Sequence, residues 1–303
     1  AYALIFRAYY AFAKNPLINS KGQNVSAISG FTSTLFDLLR KENPTHIAVC
    51  FDTHEKTERH IDFADYKANR DETPEDILFA TPWIRKIIRA FNIPILEVDG
   101  YEADDVIGTL AKKAEQHGYK VFMMTPDKDF GQLVSENIFI YKPPHLGNTF
   151  EILGVEEVKK RWDIDDVMKV IDILGMMGDA VDNIPGIKGV GEKTASKLLK
   201  EYGTLENVLA NADNIKGAMG EKVRAGKDAA IMSKKLATIL LNAPVEWNED
   251  ALLRKDPDKE KLTEIFSELE FRTLGKRIIG ASYEVGKTSS SEIVNETIET
   301  PVS

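Results

Sequence analysis

Ile47-Ala48-Val49-Cys50-Phe51-Asp52 runs apolar and then stops on a carboxylate, and how this stretch is read decides the fold. It follows Pro44 and is too short for an ordinary helix, so residues 45–51 read as a buried strand. Similar runs recur at 93–98, 119–125 and 138–141, and Tyr2-Ala3-Leu4-Ile5 reads as a first strand. Helical periodicity lies between them: Val25, Ile28, Phe31, Leu35 and Leu38; then Ile77, Ile84, Ile87, Ile88 and Phe91; then Val106, Ile107, Leu110 and Ala114. Pro74 falls just inside the second of these helices and Gly118 just past the third, the boundary positions those residues favour. Alternating helices and wholly apolar strands predict an α/β fold with a mostly parallel central sheet covered by helices. Beyond Gly154 only helical patterns remain, at 155–162, 166–177, 192–202, 205–210, 221–240 and 258–269. Residues 286–303 hold seven Ser/Thr in eighteen positions, and 284–303 read as a linker to a following domain.

Three acidic groups follow three successive strands. Asp52 closes the first run, Glu102, Asp104 and Asp105 open the helix after 93–98, and Asp127 and Asp129 follow Thr125-Pro126. The C-terminal ends of parallel strands share one edge, where α/β ligand sites form. Six carboxylates spread over 78 residues are thereby expected at one rim, with Asp179 and Asp182 as a further pair after a helix. Taken singly, each group reads as a helix cap or an Asx turn. Together they do not: two unit charges 4 Å apart repel by about 4 kcal/mol at an effective dielectric of 20. Several such pairs call for hard divalent cations, Mg²⁺ or Mn²⁺, and a pair of such ions suits phosphodiester hydrolysis.

The 21 residues between Asp52 and Pro74 are too many for a plain connection in such a fold and read as a lid or binding loop. Lys67 and Arg70, three apart, share a face if that loop is helical, and would meet a phosphate held beside Asp52. The alternative is a solvated charged loop. Gly186-Ile187-Lys188-Gly189-Val190-Gly191-Glu192-Lys193-Thr194-Ala195-Ser196-Lys197 sets three glycines at a helix start among lysines, a cradle for phosphate. No strand precedes it and it lacks the Gly-Lys-Ser/Thr ending of a nucleotide loop, so it reads as a helix-hairpin-helix grip on a DNA backbone.

The net charge of −9 argues against nucleic acid only if the acids are spread evenly, and here acids and lysines cluster apart. The single cysteine, Cys50, lies in an apolar run and reads as a buried thiol in a reducing compartment. No apolar run approaches the length of a membrane span.

Phe6-Arg7-Ala8-Tyr9-Tyr10-Ala11-Phe12, Tyr66-Lys67-Ala68-Asn69-Arg70, Tyr101-Glu102-Ala103-Asp104-Asp105, Thr125-Pro126-Asp127-Lys128-Asp129, the glycine hairpin and Glu268-Leu269-Glu270-Phe271-Arg272 resemble, in order and spacing, the motifs of the 5′ nucleases attached to bacterial DNA polymerase I. The resemblance covers roughly residues 1–275. It implies a PIN-like core over 1–175 with a helical arch at about 53–73, and a helical DNA-binding subdomain over 176–283 with the hairpin at about 184–200. It implies removal of RNA primers and 5′ flaps from branched or nicked DNA with Mg²⁺ or Mn²⁺, two ions, and a potassium ion at the hairpin carbonyls. Asp52, Glu102, Asp104 and Asp127 would hold one metal, and Asp105, Asp129, Asp179 and Asp182 would complete the site or hold the second. Lys67 and Arg70 would act on the scissile phosphate. Arg7, Tyr66, Gly186, Lys188, Gly189, Gly191, Lys193, Thr194 and Lys197 would contact DNA. A linked polymerase domain, a monomer and a bacterial cytoplasmic, nucleoid-associated setting complete the expectation. The family carries an aspartate just before the position of Ala1. Two rivals share parts of the pattern: a structure-selective DNA-binding module without catalysis, and a PIN-type ribonuclease. A Mg²⁺-dependent phosphatase would not need the long basic segment.

Overall fold

The computed structural model describes residues 1–143 and 150–286, so the linker expected at 284–303 falls almost wholly outside the described residues. The elements in chain order are α1 (Tyr2–Ala11), α2 (Ser26–Glu42), β1 (Val49–Cys50), α3 (Glu58–Asp62), α4 (Glu75–Ala90), β2 (Ile95–Leu96), α5 (Ala103–Gln116) and β3 (Val121–Met124). A 3₁₀ turn (Lys128–Leu133) follows, then β4 (Ile138–Lys142), β5 (Glu151–Leu153), α6 (Val155–Trp162), α7 (Lys169–Met177), α8 (Glu192–Tyr202) and α9 (Leu205–Ala210). The chain ends through α10 (Gly217–Ala225), α11 (Lys227–Ala237), α12 (Glu249–Leu252), α13 (Lys259–Glu268) and α14 (Arg272–Ile278).

All four internal strands expected from the apolar runs form, but β1 and β2 shrink to the two residues that face each other, Val49 opposite Ile95 and Cys50 opposite Leu96. This pair is parallel, and so is β3 on β4, with Val121 opposite Ile138 and Met124 opposite Tyr141. β5 adds an antiparallel edge that its sequence did not announce, Ile140 facing Leu153. Tyr2-Ala3-Leu4-Ile5 is not a strand but the first turn of α1, closed by Leu4 N–H donating to Ala1 O at 2.9 Å. A four-residue apolar run fits either period. Here Ile5 and Ala8, three apart, bury one helical face, and Ala, Leu and Arg favour that state. The long helix expected over 221–240 breaks into α10 and α11 at Gly226, where the Ile187 side chain would stand 2.9 Å from an added Cβ.

The chain forms two compact units. One contains, of the described residues, 1–4, 48–73, 95–143 and 150–252, and with them both sheets, the arch and the glycine hairpin. Its core joins Met123, Phe130 and Ile138 of the β3–β4 region to Trp162 and to Ile173, Leu198 and Leu236 of the helices. A smaller cluster of Cys50, Val106, Leu110 and Val245 seats β1 against α5. The second unit contains, of the described residues, 5–47, 74–94 and 253–286, where α4 packs on α2 and α13. No helix among the described residues is long and apolar enough to cross a membrane.

Candidate active site

The ends of β1, β2 and β3 deliver their carboxylates to the start of α5. Asp52 Oδ1, just past β1, accepts from Ala103 N–H at 3.0 Å, taking up one of the amides that a helix leaves free at its first turn. Glu102 caps α5, and its own N–H donates to Asp105 Oδ2 at 3.1 Å. Desolvation raises the Asp104 carboxyl to about 7, and the neighbouring charges of Asp127, Asp52 and Glu102 push the same way against Lys67. Asp127 caps the 3₁₀ turn by accepting from Asp129 N–H at 2.9 Å. Burial raises Asp127 too, with Asp182 and Asp179 adding to the effect. Asp129 is raised to about 8 by burial and then by Asp127. Asp127 thus feels the charge of Asp179 and Asp182 and adds its own to Asp104 and Asp129.

Cations from the chain already sit on several of these acids. Lys67 Nζ lies 2.8 Å from Glu102 Oε1 and 3.9 Å from Asp182 Oδ2. Arg70 pairs with Asp182 at 2.5 Å, and Lys128 with Asp179 at 3.2 Å. With those partners in place, no three His, Cys, Asp or Glu side chains among the described residues form a ready-made metal cage. One atom is nevertheless left over. Asp129 Oδ1 is buried with no hydrogen-bond partner, a state that ordinarily destabilises a fold unless an ion or water answers it. The all-carboxylate donor set fits a hard divalent cation.

Two expected site residues have other duties. Asp105, fully buried, accepts both forks of the Arg59 guanidinium at 2.8 Å each and the N–H groups of Glu102 and Leu240. In this structure both its oxygens are engaged by protein donors. Tyr66, expected to touch DNA, is 4% exposed and donates its hydroxyl to Glu102 Oε2 at 3.2 Å. Burial and the adjacent Glu102 charge hold that phenol far above its ordinary range.

The arch is helical only at α3, and Lys67 takes a left-handed backbone, φ 58°. Lys67 and Arg70 still converge, through a turn in which Arg70 N–H donates to Lys67 O. That turn is fastened to the Asp179 loop: Lys67 N–H donates to Asp182 O, Asn69 to Ala180 O and Asn183 to Asp65 O.

The hairpin links α7 to α8 in the same unit. Gly178 and Gly186 meet backbone to backbone; a Cβ on Gly186 would lie 2.4 Å from Gly178 N. Gly186 N–H donates to the buried Ser233 hydroxyl of α11. Gly189 has φ +78°, and Gly191 precedes the first turn of α8. Lys188, Lys193 and Lys197 are exposed around the turn, while Thr194 is half-buried. Lys222, which the sequence did not single out, reaches over Gly189. Arg59 and Lys128 were likewise missed: nothing in a charged stretch marks which cation will be buried or paired. Arg7 lies on α1, in the second unit from residue 5 onward.

Residues 1–163 match the family model of the 5′-3′ exonuclease N-terminal resolvase-like domain, and residues 166–260 that of the 5′-3′ exonuclease C-terminal SAM fold. The chain belongs to the 5′-3′ exonuclease family. Within that family, a 5′-3′ exonuclease of Aquifex aeolicus is 40% identical over 276 residues, which is 91% of this chain and 92% of the relative. DNA polymerase I of Bacillus caldotenax is 41% identical over 282 residues, 92% of this chain but 32% of the relative. The chain thus spans about a third of such polymerases. The exonuclease fold also extends to the bacteriophage T5 flap endonuclease, solved in a pseudo-enzyme–product complex with DNA and metal ions. That structure has a TM-score of 0.64 at 18% identity, over 91% of this chain and 93% of the other.

Proposed function

We propose that this chain is a divalent-metal-dependent 5′ nuclease that hydrolyses phosphodiester bonds in DNA carrying a 5′ flap, a nick or an RNA primer. The observation that carries the reading is the crowded carboxylate rim, with Asp104 raised to about 7 and Asp129 Oδ1 unpartnered, ringed by arch cations. Asp52, Glu102, Asp104 and Asp127 would hold one ion, Mg²⁺ or Mn²⁺, and Asp129, Asp179 and Asp182 a second. Bound there, such ions lower the pKa of an attacking water and neutralise charge on the leaving oxygen.

The chain's own side chains supply the rest. Lys67 and Arg70 exchange Glu102 and Asp182 for the scissile phosphate and stabilise the charge that grows on it. Tyr66 keeps the Glu102 carboxylate turned toward the rim. The hairpin amides after Gly186, with Lys188, Lys193, Lys197 and the Thr194 hydroxyl, grip backbone phosphates and carry no sequence preference. Catalysis would belong to residues 1–175 and the grip to 176–283. Relatives occur both within DNA polymerase I and as an exonuclease of nearly this length.

The test is incubation with labelled 5′-flap DNA, single-stranded RNA and a phosphomonoester, each with Mg²⁺ and with EDTA. Metal-dependent release of the flap, with slower attack on the other two, is expected. Flap binding with no cleavage in either Mg²⁺ or Mn²⁺ would reduce the chain to a binding module.

A further inference from the structure

Arg59 is the one buried side chain of α3 and, at 6% exposed, the one buried Lys or Arg among the described residues. Four of the five N–H donors of its guanidinium are hydrogen-bonded. Nη1 and Nη2 each donate to one oxygen of Asp105 at 2.8 Å, Nε donates to Leu236 O at 3.0 Å and Nη2 to Thr238 O at 2.7 Å. Asp105 in turn accepts from Glu102 N–H at 3.1 Å and from Leu240 N–H at 2.8 Å. One ion pair therefore ties together three stretches distant in sequence: the arch, the first turn of α5 and the end of α11.

Glu102 is the neighbour at stake. Its Oε2 is 3.6 Å from Arg59 Nη1, close enough for attraction but beyond the bidentate contact that Asp105 enjoys. Because Asp105 takes both forks, the closest side-chain partners of the Glu102 carboxylate are Tyr66 and the half-buried Lys67. Without Asp105, the guanidinium would have Glu102 as its nearest anion and would draw it off the rim.

We infer that Arg59 is a positioning residue: paired to Asp105, it fixes the backbone at Glu102 and leaves that carboxylate free to face a metal ion, while anchoring the root of the arch that carries Lys67. The inference rests on the reading of Glu102 as a metal ligand. A bidentate Arg–carboxylate pair is rigid and directional in a way a lysine cannot reproduce. Partners that orient metal ligands typically change metal affinity or activity by 10–100-fold when lost.

Two variants test it: Arg59→Lys, which keeps the charge but not the fork, and Arg59→Gln/Asp105→Asn, which replaces the pair with neutral groups of similar shape. For each, Mn²⁺ affinity is measured by calorimetry, flap-DNA affinity in EDTA, and single-turnover cleavage at saturating DNA and metal, all well below the melting midpoint. Mn²⁺ affinity or the single-turnover rate should fall about tenfold or more, with flap-DNA affinity in EDTA within about threefold of the parent. A buried pair that only stabilised the fold would lower the melting midpoint and leave both quantities unchanged in the folded protein, and that result overturns the inference. If one variant does not fold, the other decides; if neither folds, Arg59 is a folding residue and the inference falls. The functional reading fails separately, if the unaltered protein takes up no Mn²⁺ that Asp127→Asn abolishes.

Discussion

Lys67 Nζ sits 2.8 Å from Glu102 Oε1 and 3.9 Å from Asp182 Oδ2, so a single arch lysine bridges carboxylates of both acid groups. In this structure it is a counter-ion to both; under the proposed function it would become a phosphate ligand in the reacting complex. Lys67→Ala should therefore act in two directions. Single-turnover cleavage should fall by on the order of 10²–10³, the loss typical of one transition-state donor. Mg²⁺ affinity should not fall and should rise if the lysine competes for Glu102. A change confined to KM would make Lys67 a uniform binding residue instead.

Asp127 and Asp129 share a short turn and a hydrogen bond, yet their removal should leave the DNA grip alone. Asp127→Asn or Asp129→Asn is expected to abolish cleavage in Mg²⁺ while flap-DNA binding stays within about tenfold, since backbone contacts carry the affinity. Parent-like turnover by either variant would exclude the pair from the chemistry.

Crowded carboxylates make a pH prediction with a definite sign. Asp104 is held at about 7 and Asp129 at about 8, against ordinary values near 4. Between pH 4 and 8 these two carboxyls bind more protons folded than unfolded, so their contribution to stability falls as pH rises through that window, against a smaller opposite effect from His60, whose pKa burial lowers. Each pH unit of displacement is worth about 1.4 kcal/mol. In EDTA the melting midpoint should drop from pH 5 to pH 8, and saturating Mg²⁺ should flatten the slope. A flat profile in EDTA would mean the acids are not crowded in solution.

The rim was legible because its signal is topological: Asp52, Glu102, Asp104 and Asp127 each follow a strand, and parallel strand ends share an edge whatever the side chains do. Residue-level roles were not. Asp105 differs from Asp104 by one position, but on α5 that step turns a side chain by about 100°, away from the rim and onto Arg59. Arg59 sits among Glu58, His60 and Lys56 with nothing local to mark it for burial; its partners lie 46 and 177–179 positions away. Residues 2–5 failed for the opposite reason. A short apolar run satisfies both periods, and only the tertiary burial of Ile5 with Ala8 decides between them.

The structure gives the hairpin glycines different surroundings. Gly189 has φ +78°, and an added Cβ would meet the flexible end of Lys222 at 2.9 Å. Gly186 has φ +60°, and its Cβ would lie 2.4 Å from Gly178 N and 2.5 Å from Met177 C, backbone that cannot move aside. Gly189→Val should therefore strain one exposed turn, misdirect its amides and weaken binding to duplex DNA of any sequence, with the fold kept. Gly186→Val should break the α7–α8 connection itself and cut the melting midpoint sharply. If phosphates bind at this turn, Lys188→Ala/Lys193→Ala should also flatten the salt dependence, by roughly one unit of slope for each contact removed. DNA affinity measured from low to moderate salt, alongside melting curves, checks all three. An unchanged salt slope in the double lysine variant would put the DNA on another face, however strongly Gly189→Val weakened binding.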